Sequence, residues 1–207
     1  MPRPRREGAI TKGSDGMNST SPITLQEIQA LELELSEKSR RLADLKRAMP
    51  RERVQDYVLS GWEGPVTLSS LFNGKKDLIV VHNMGKGCRY CTLWADGFNG
   101  VWRHLSDRAG FVVCSPDTAE TQKVFAGSRQ WGFPLVSGHG STFIQDMGFR
   151  GEKSWMPGVS TFHLKADGVI ERVARAEFGP YDLFCGVWHL IALLADGENG
   201  WEPKYTY

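Results

Sequence analysis

The feature that most constrains the fold of this chain is an alternation of short apolar runs with helical patterns. Residues 78–81 ("LIVV") and residues 111–114 ("FVVC") have the composition of buried strands, and each run is followed by a segment with helical character. A hairpin and one more helical segment, residues 181–196, complete the chain. Strand, helix, strand, helix, hairpin and helix in this order predict a mixed sheet covered by helices.

The hairpin is predicted from its turn. Asp167-Gly168 lies between two apolar alternations in residues 158–176, and Asp-Gly in that setting is a strong turn signal. Upstream, residues 54–83 predict two short strands around a turn, one helical turn and then the buried strand at 78–81. Residues 133–138 ("FPLVSG") are predicted to be short and extended.

The sequence divides into three parts by composition. Residues 1–21 are rich in Gly, Ser, Pro and Arg, which predicts a disordered polar and basic tail. Residues 22–50 form one long helical pattern. Residues 51–207 hold the remaining strands and helices and are predicted to form the main domain.

The helical pattern has clear ends and an apolar stripe. Thr24 and Glu27 fit a capping box, and Pro50 stops the helix. The stripe follows a 3-4 spacing that Lys38 interrupts; its members are Ile28, Leu31, Leu35, Leu42, Leu45 and Met49. Such heptads indicate a homodimerisation arm over residues 23–49, and the alternative is a stripe that packs on its own domain.

Composition excludes several classes of partner. The 207 residues carry a formal net charge of +1, so no bulk field attracts nucleic acid or an anionic membrane. The sequence contains no apolar run of about 18 residues and no signal-peptide pattern at its start. We therefore expect a cytoplasmic protein without nucleic-acid or membrane partners, in which four cysteines are not a disulfide framework.

The chemistry of the sequence is concentrated in the pair Cys88 and Cys91. Cys88 follows a buried strand and a Gly-containing loop and precedes a helix, which places its sulfur at a helix N-terminus. That position and the adjacent Arg89 lower the pKa of a thiol and make the thiolate available near neutral pH. Cys91, one helical turn further on, is placed to resolve a mixed disulfide, so the pair predicts thiol–disulfide exchange.

A zinc site or a purely structural role would also place two cysteines close together, but both are weaker. A structural zinc site needs two more ligands at close range, whereas Cys114, Cys185 and the histidines are scattered along the chain. The cysteines can also be simple core residues, because free Cys is commonly buried. Position after a buried strand and at the start of a helix favours the dithiol, and we expect no metal.

Several segments resemble the thioredoxin-like and peroxiredoxin-like superfamily, among them "VVCSPDTAETQKVFAGSRQWGFPLVS". More narrowly, "CRYCTLWADGFNG", "MPRERVQDYV", "GFPLVS" and "PGVSTF" resemble a thioredoxin-like family of unknown function, whose members are labelled predicted dithiol–disulfide isomerases or oxidoreductases. The resemblance covers residues 23–205. It implies an α/β thioredoxin-like mixed sheet flanked by helices, with an N-terminal helical arm. It also implies thiol–disulfide oxidoreductase activity on a protein or small-thiol substrate, with no cofactor beyond an external electron source.

The sequence departs from the superfamily's patterns at several positions. A peroxiredoxin carries Pro and Thr where this chain has Val81 and Gly85, so a peroxide-reducing enzyme is the alternative rather than the leading prediction. His82 occupies the place of thioredoxin's buried acid. It is predicted either to exchange a proton with Cys91 or to be a core histidine.

The segment before the hairpin is predicted to line a substrate groove. Thioredoxins have a cis-proline there, whereas this chain has Ser160 at that place and Pro157 three residues earlier. The predicted groove residues are Trp155, Met156, Pro157, Val159 and Ser160. Cys114, at the end of the second strand, is either a third thiol near the pair or a small buried residue. A third functional class, a partner-binding module without catalysis, stays open.

Overall fold

The computed structural model describes residues 22–207, so the predicted tail at residues 1–21 lies outside the described residues. The chain divides into two compact units, with the boundary between Leu42 and Ala43. Across the described residues, every helix is too short or too polar to cross a lipid bilayer.

The first helix, α1 (Leu25–Ala48), begins at the predicted capping box. The backbone N–H of Thr24 donates to Glu27 Oε2 at 2.7 Å, and the backbone N–H of Glu27 donates to Thr24 Oγ1 at 3.2 Å. Two N–H groups that lack partners within the helix are thereby satisfied. None of the residues of α1 is buried, although an apolar stripe runs along the helix.

One mixed sheet of eight strands forms within the described residues. The strands are β1 (Glu52–Val54), β2 (Val58–Gly61), β3 (Gly64–Thr67), β4 (Asp77–His82), β5 (Gly110–Ser115), β6 (Leu135–Ser137), β7 (Gly158–Leu164) and β8 (Ile170–Glu177). Their order in the sheet is β1-β8-β7-β4-β5-β6-β2-β3. The strands β4, β5 and β6 are parallel, and β7 and β8 form the predicted hairpin, with Gly168 at a φ of +82°.

The helices confirm the predicted alternation, except that a short helix before the hairpin was not predicted and the final helix is shorter than predicted. They are α2 (Arg89–Arg108), α3 (Ala119–Arg129), α4 (Phe143–Asp146) and α5 (Gly186–Ile191), with a 3-10 turn at Ser69–Phe72. The predicted final helix over residues 181–196 is wrong in length, because only six of its residues are α-helical. The Asp182 carboxylate accepts the backbone N–H groups of Gly179 and Phe184, and this turn competes with a helix there.

Two buried clusters lie on opposite faces of the sheet, because successive side chains of a strand alternate in direction. Val81 belongs to the cluster that contains Cys91 and Trp94 of α2, which we call the α2-side core. Its neighbour Val80 belongs to the other cluster, with Phe143 among its members, which we call the opposite core. The side of the sheet on which a residue lies therefore decides whether it can reach the cysteine pair.

Candidate active site

Cys88 is the N-cap residue of α2, as the sequence predicts. Its backbone is extended, with φ −108° and ψ 103°, and its sulfur accepts the backbone N–H of Cys91 at 3.1 Å. The Cys88 carbonyl accepts both the backbone N–H and the hydroxyl of Thr92, each at 3.0 Å. These bonds hold the half-buried thiol at the positive end of a 20-residue helix.

The loop before Cys88 is fixed by two side chains. Asn83 Oδ1 accepts the backbone N–H of Gly85 at 2.8 Å, and Asp117 Oδ2 accepts the backbone N–H of Lys86 at 2.7 Å. Gly85 has a φ of +100°, and a β-carbon there would lie 2.8 Å from a carboxylate oxygen of Asp117. Position 85 therefore requires glycine, both for its backbone conformation and for the close approach of Asp117.

The surroundings of Cys88 favour its thiolate. Hydrogen bonding from the Cys91 thiol lowers the pKa of Cys88 to about 7, and the backbone N–H groups of Cys91 and Tyr90 act in the same direction against the effect of burial. A thiol with this pKa is partly ionised at neutral pH, and the thiolate is the nucleophile in sulfur chemistry.

Cys91 is more deeply buried than Cys88, and its pKa is shifted in the opposite direction. Its side chain is 2% exposed, and its sulfur accepts the backbone N–H of Met84 at 3.5 Å. Its hydrogen bond with Cys88, together with burial, raises the pKa of Cys91. At neutral pH the pair therefore consists of a half-buried Cys88 that is partly thiolate and a buried Cys91 that stays protonated.

Arg89 lies next to Cys88 in sequence, but its guanidinium is engaged elsewhere. It pairs with the carboxylate of Glu202, which also accepts the Tyr90 hydroxyl at 3.0 Å. The Cys88 thiolate is thus favoured by Cys91 and by backbone N–H groups of α2, with the Arg89 charge held by Glu202.

His82 lies on the other side of the sheet from the cysteine pair. Its Nε2 is 3.0 Å from the Ser160 hydroxyl, and its ring stacks on Phe149 at 4.0 Å between centroids. Gly158, opposite His82 in the sheet, leaves the space that the Phe149 ring fills. Burial lowers the pKa of His82 to about 3, which keeps the ring neutral. These contacts are those of a core histidine, the second of the two predicted roles.

The predicted groove residues divide between the two faces. Val159 packs against the α2-side core, which also includes Cys91, whereas Trp155 and Met156 pack against the opposite core. The guanidinium of Arg150 lies 4.3 Å from the centre of the Trp155 ring. The Met156–Pro157 peptide bond is trans, and the Pro157 carbonyl accepts the backbone N–H of Phe178 at 3.0 Å. Ser160 is fully buried against His82.

Cys114 is a member of the opposite core and is fully buried. It pairs with His82 across the β4–β5 register, and burial raises its pKa to about 12. The structure therefore does not bring it to the cysteine pair. Cys185, by contrast, is buried in the α2-side core. Within residues 22–207, no three His, Cys, Asp or Glu side chains are grouped closely enough to hold a metal ion.

Sequence reasoning missed the residues of the C-terminal segment that contact α2 and α3. Glu202 bonds to Arg89 and Tyr90, and the Tyr205 carbonyl accepts a hydrogen bond at 2.6 Å from Arg129, which also pairs with Asp96 of α2. The contacts of the C-terminal segment join residues 76 to 113 positions apart, so local patterns carried no signal for them. For His82 the sequence did carry a signal. Successive side chains of a strand lie on opposite faces of the sheet, so His82 and its neighbour Val81 cannot both face α2.

Residues 24–206 match a protein family described as "Bacterial protein of unknown function (DUF899)". No curated protein matches the chain.

The chain is similar to several solved structures of peroxiredoxins, three of which follow. Peroxidoxin BcpB from Mycobacterium tuberculosis is 24% identical, with a TM-score of 0.50 over 61% of this chain and 83% of that one. A PrxQ mutant from Xylella fastidiosa is 17% identical, with the same TM-score and the same coverage. Reduced Prx3 from Vibrio vulnificus, solved in complex with H2O2, is 12% identical with a TM-score of 0.50 over 64% of this chain and 88% of that one. These likenesses confirm the predicted thioredoxin-like fold.

Proposed function

Because this chain belongs to the DUF899 family, described as bacterial proteins of unknown function, we propose its activity from its own site: thiol–disulfide exchange. Cys88 is the attacking thiolate and Cys91 the resolving thiol. The observation that carries this proposal is the Cys88 sulfur at the N-terminus of α2, 3.1 Å from the Cys91 backbone nitrogen, with a pKa of about 7.

The reaction proceeds in two displacements. The Cys88 thiolate attacks one sulfur of a substrate disulfide, forms a mixed disulfide and expels the other sulfur as a thiolate, which takes a proton from water. Cys91 then loses its proton and attacks the Cys88 sulfur. This step forms the Cys88–Cys91 disulfide and releases the second substrate thiol. The two electrons of the cysteine pair have then passed to the substrate, together with one proton from Cys91 and one from water, and an external thiol reductant restores the pair.

The packing of the α2-side core supports these two roles, attack by Cys88 and resolution by Cys91. Trp94 and Phe178, both largely buried, belong to the cluster that encloses Cys91 and exclude water from it. A buried resolving thiol with a raised pKa stays protonated until the mixed disulfide removes the negative charge from Cys88. The attacking sulfur remains open to a protein or small-thiol substrate.

Peroxide reduction is the second candidate, because the same thiolate suits it. In that reaction Cys88 attacks the O–O bond, becomes a sulfenic acid and releases water or an alcohol, and Cys91 then condenses with it to the disulfide and releases water. Against this candidate, Gly85 offers no side-chain hydroxyl near Cys88, and Asp117 leaves no room for one there.

The test follows single turnovers of the reduced protein with glutathione disulfide and, separately, with hydrogen peroxide. We expect fast exchange with the disulfide and slow reaction with peroxide. Cys88→Ser removes both reactions, Cys91→Ser stops at the mixed disulfide with glutathione, and Cys185→Ser is the matched control that reacts like the unchanged protein. A faster, saturable reaction with peroxide would favour the peroxidase. Failure of both reactions would favour the partner-binding module.

A further inference from the structure

The first helix carries an apolar face that is exposed along its length. The stripe residues, the last of which lies one position beyond the helix, are 44–63% exposed: Ile28, Leu31, Leu35, Leu42, Leu45 and Met49. Lys38 takes the remaining position of the stripe, and its ammonium bonds to Glu34 at 2.6 Å, which carries the charge to the edge of the stripe. A Lys held in this way covers apolar surface with its methylene groups.

The charges of α1 are segregated along its length. Every charged residue from 25 to 37 is acidic: Glu27, Glu32, Glu34 and Glu37. From 38 to 48 the charges are basic except for Asp44: Lys38, Arg40, Arg41, Lys46 and Arg47. A helix with this distribution is complementary to a second copy of itself only when the two run in opposite directions.

We propose that α1 is an antiparallel homodimerisation helix, whose apolar stripe pairs with that of a second copy of this chain. Pairing around a centre between residues 36 and 37 opposes the stripe positions from 28 to 45 to one another. The layers are Ile28 with the partner's Leu45, Leu31 with the partner's Leu42, and Leu35 with the partner's Lys38. All of them recur by two-fold symmetry.

The charged residues that flank the stripe distinguish an antiparallel pair of helices from a parallel pair. In the antiparallel pair, Glu34 faces the partner's Arg41, and symmetry gives this attraction twice. In a parallel pair, Glu27 would face the partner's Glu32, and Arg41 would face the partner's Lys46. Like charges at these flanking positions are unfavourable, and they are what sets orientation in paired helices.

The length of α1 is adequate for such a pair. Twenty-four residues at about 1.5 Å each make α1 roughly 36 Å long, which gives three full heptads of contact. Helices in proteins gain most of their stability from the packing of an amphipathic face, so a partner that covers the exposed stripe would stabilise α1.

Sedimentation equilibrium of the full reduced chain tests the proposal. We expect a dimer that Leu35→Asn weakens strongly. Arg41→Glu places two Glu–Glu contacts in the antiparallel pair and weakens it about tenfold, because repulsion replaces attraction at two exposed contacts. Arg40→Glu, with the same charge change outside the contact positions, has little effect.

The double variant Glu34→Lys with Arg41→Glu exchanges the charges and restores dimerisation. Two results overturn the proposal. One is a protein that stays monomeric at 100 times its working concentration in the exchange assay. The other is an Arg41→Glu dimer that is tighter than the unchanged one, since that substitution creates attraction to the partner's Lys46 only in a parallel pair. Circular dichroism of each variant confirms that the fold is retained.

Discussion

Cys88 and Cys185 occupy the same local position in the chain, and they differ in chemistry. Each is the N-cap residue of a helix, with an extended backbone at φ −108° and −133° respectively, and each lies at the α2-side core. The surroundings lower the pKa of Cys88 to about 7, whereas burial and the nearby Asp182 carboxylate raise the pKa of Cys185.

The difference comes from what lies around the sulfur rather than from the capping position itself. The Cys88 sulfur accepts a backbone N–H of a 20-residue helix and has the Cys91 thiol as a donor. Cys185 begins a six-residue helix, is 5% exposed, and makes no capping hydrogen bond through its side chain within the described chain. At Cys185 the backbone N–H groups of Val187 and Trp188 also lower the pKa, but burial outweighs them. A helix N-terminus therefore activates a thiol only where its donors outweigh the effect of burial.

The largest expected effect is the difference in exchange rate between the variants Cys88→Ser and Cys185→Ser. Cys88→Ser is expected to abolish exchange with a disulfide substrate, because no other cysteine combines access with a lowered pKa. Cys185→Ser is expected to leave the rate unchanged within about twofold, since a Ser there disturbs only core packing. Single-turnover exchange with glutathione disulfide measures both, and equal losses in the two variants would remove the distinction between the sites.

The next largest expected effect is the difference between Cys88 and Cys185 in the pH dependence of their alkylation. The thiolate is the reactive form, so the rate at Cys88 rises with pH and is half-maximal near pH 7. Cys185 has its pKa above the ordinary 9.0, so at pH 7 we expect it to react at least about tenfold more slowly. Iodoacetamide labelling with peptide mass analysis gives both profiles in one experiment.

The substitution Cys91→Ala is expected to shift the pKa of Cys88 upward, in the direction of that of Cys185. Without the Cys91 thiol as a donor, the pKa of Cys88 rises from about 7 toward the ordinary 9.0. Its alkylation rate at pH 7 is then expected to fall about fivefold, after allowance for the greater nucleophilicity of a more basic thiolate. An unchanged profile would assign the lowered pKa to the helix N-terminus alone.

The smallest expected effect concerns Glu202, which holds the guanidinium of Arg89. Glu202→Gln releases that charge beside Cys88 and shifts the Cys88 pKa further down. Because the pair is exposed, we expect less than about a threefold rise in the alkylation rate at pH 6. Glu198→Gln removes a charge from the same segment and serves as the control; equal effects of the two would mean a general field rather than Arg89.

The parts of the fold that the sequence predicted depend on neighbours along the chain. The capping box at Thr24, the turn at Gly168 and the position of Cys88 between a strand and a helix are all set within a few residues. The three-residue strand β1 was not predicted, because it forms only by pairing with β8 more than a hundred residues away. The final helix was predicted too long because Asp182 caps a turn where apolar periodicity indicates a helix.

The candidate site, too, was predictable only where it depends on neighbours along the chain. Cys88 and Cys91 follow from spacing and context, whereas the partner of Arg89 depends on where the C-terminal segment lies. Placing His82 with the thiols depended on its distance in sequence from Cys88. Alternation along β4 points its ring toward Ser160 and Phe149 instead.

The measurement that tests the central claim most directly is a redox titration of the purified protein in glutathione buffers, with alkylation and mass analysis of every cysteine. We expect one reversible two-electron transition that converts Cys88 and Cys91 into a disulfide, while Cys114 and Cys185 stay reduced. Retention of both thiols in every buffer, or a disulfide that includes Cys185, would contradict the claim.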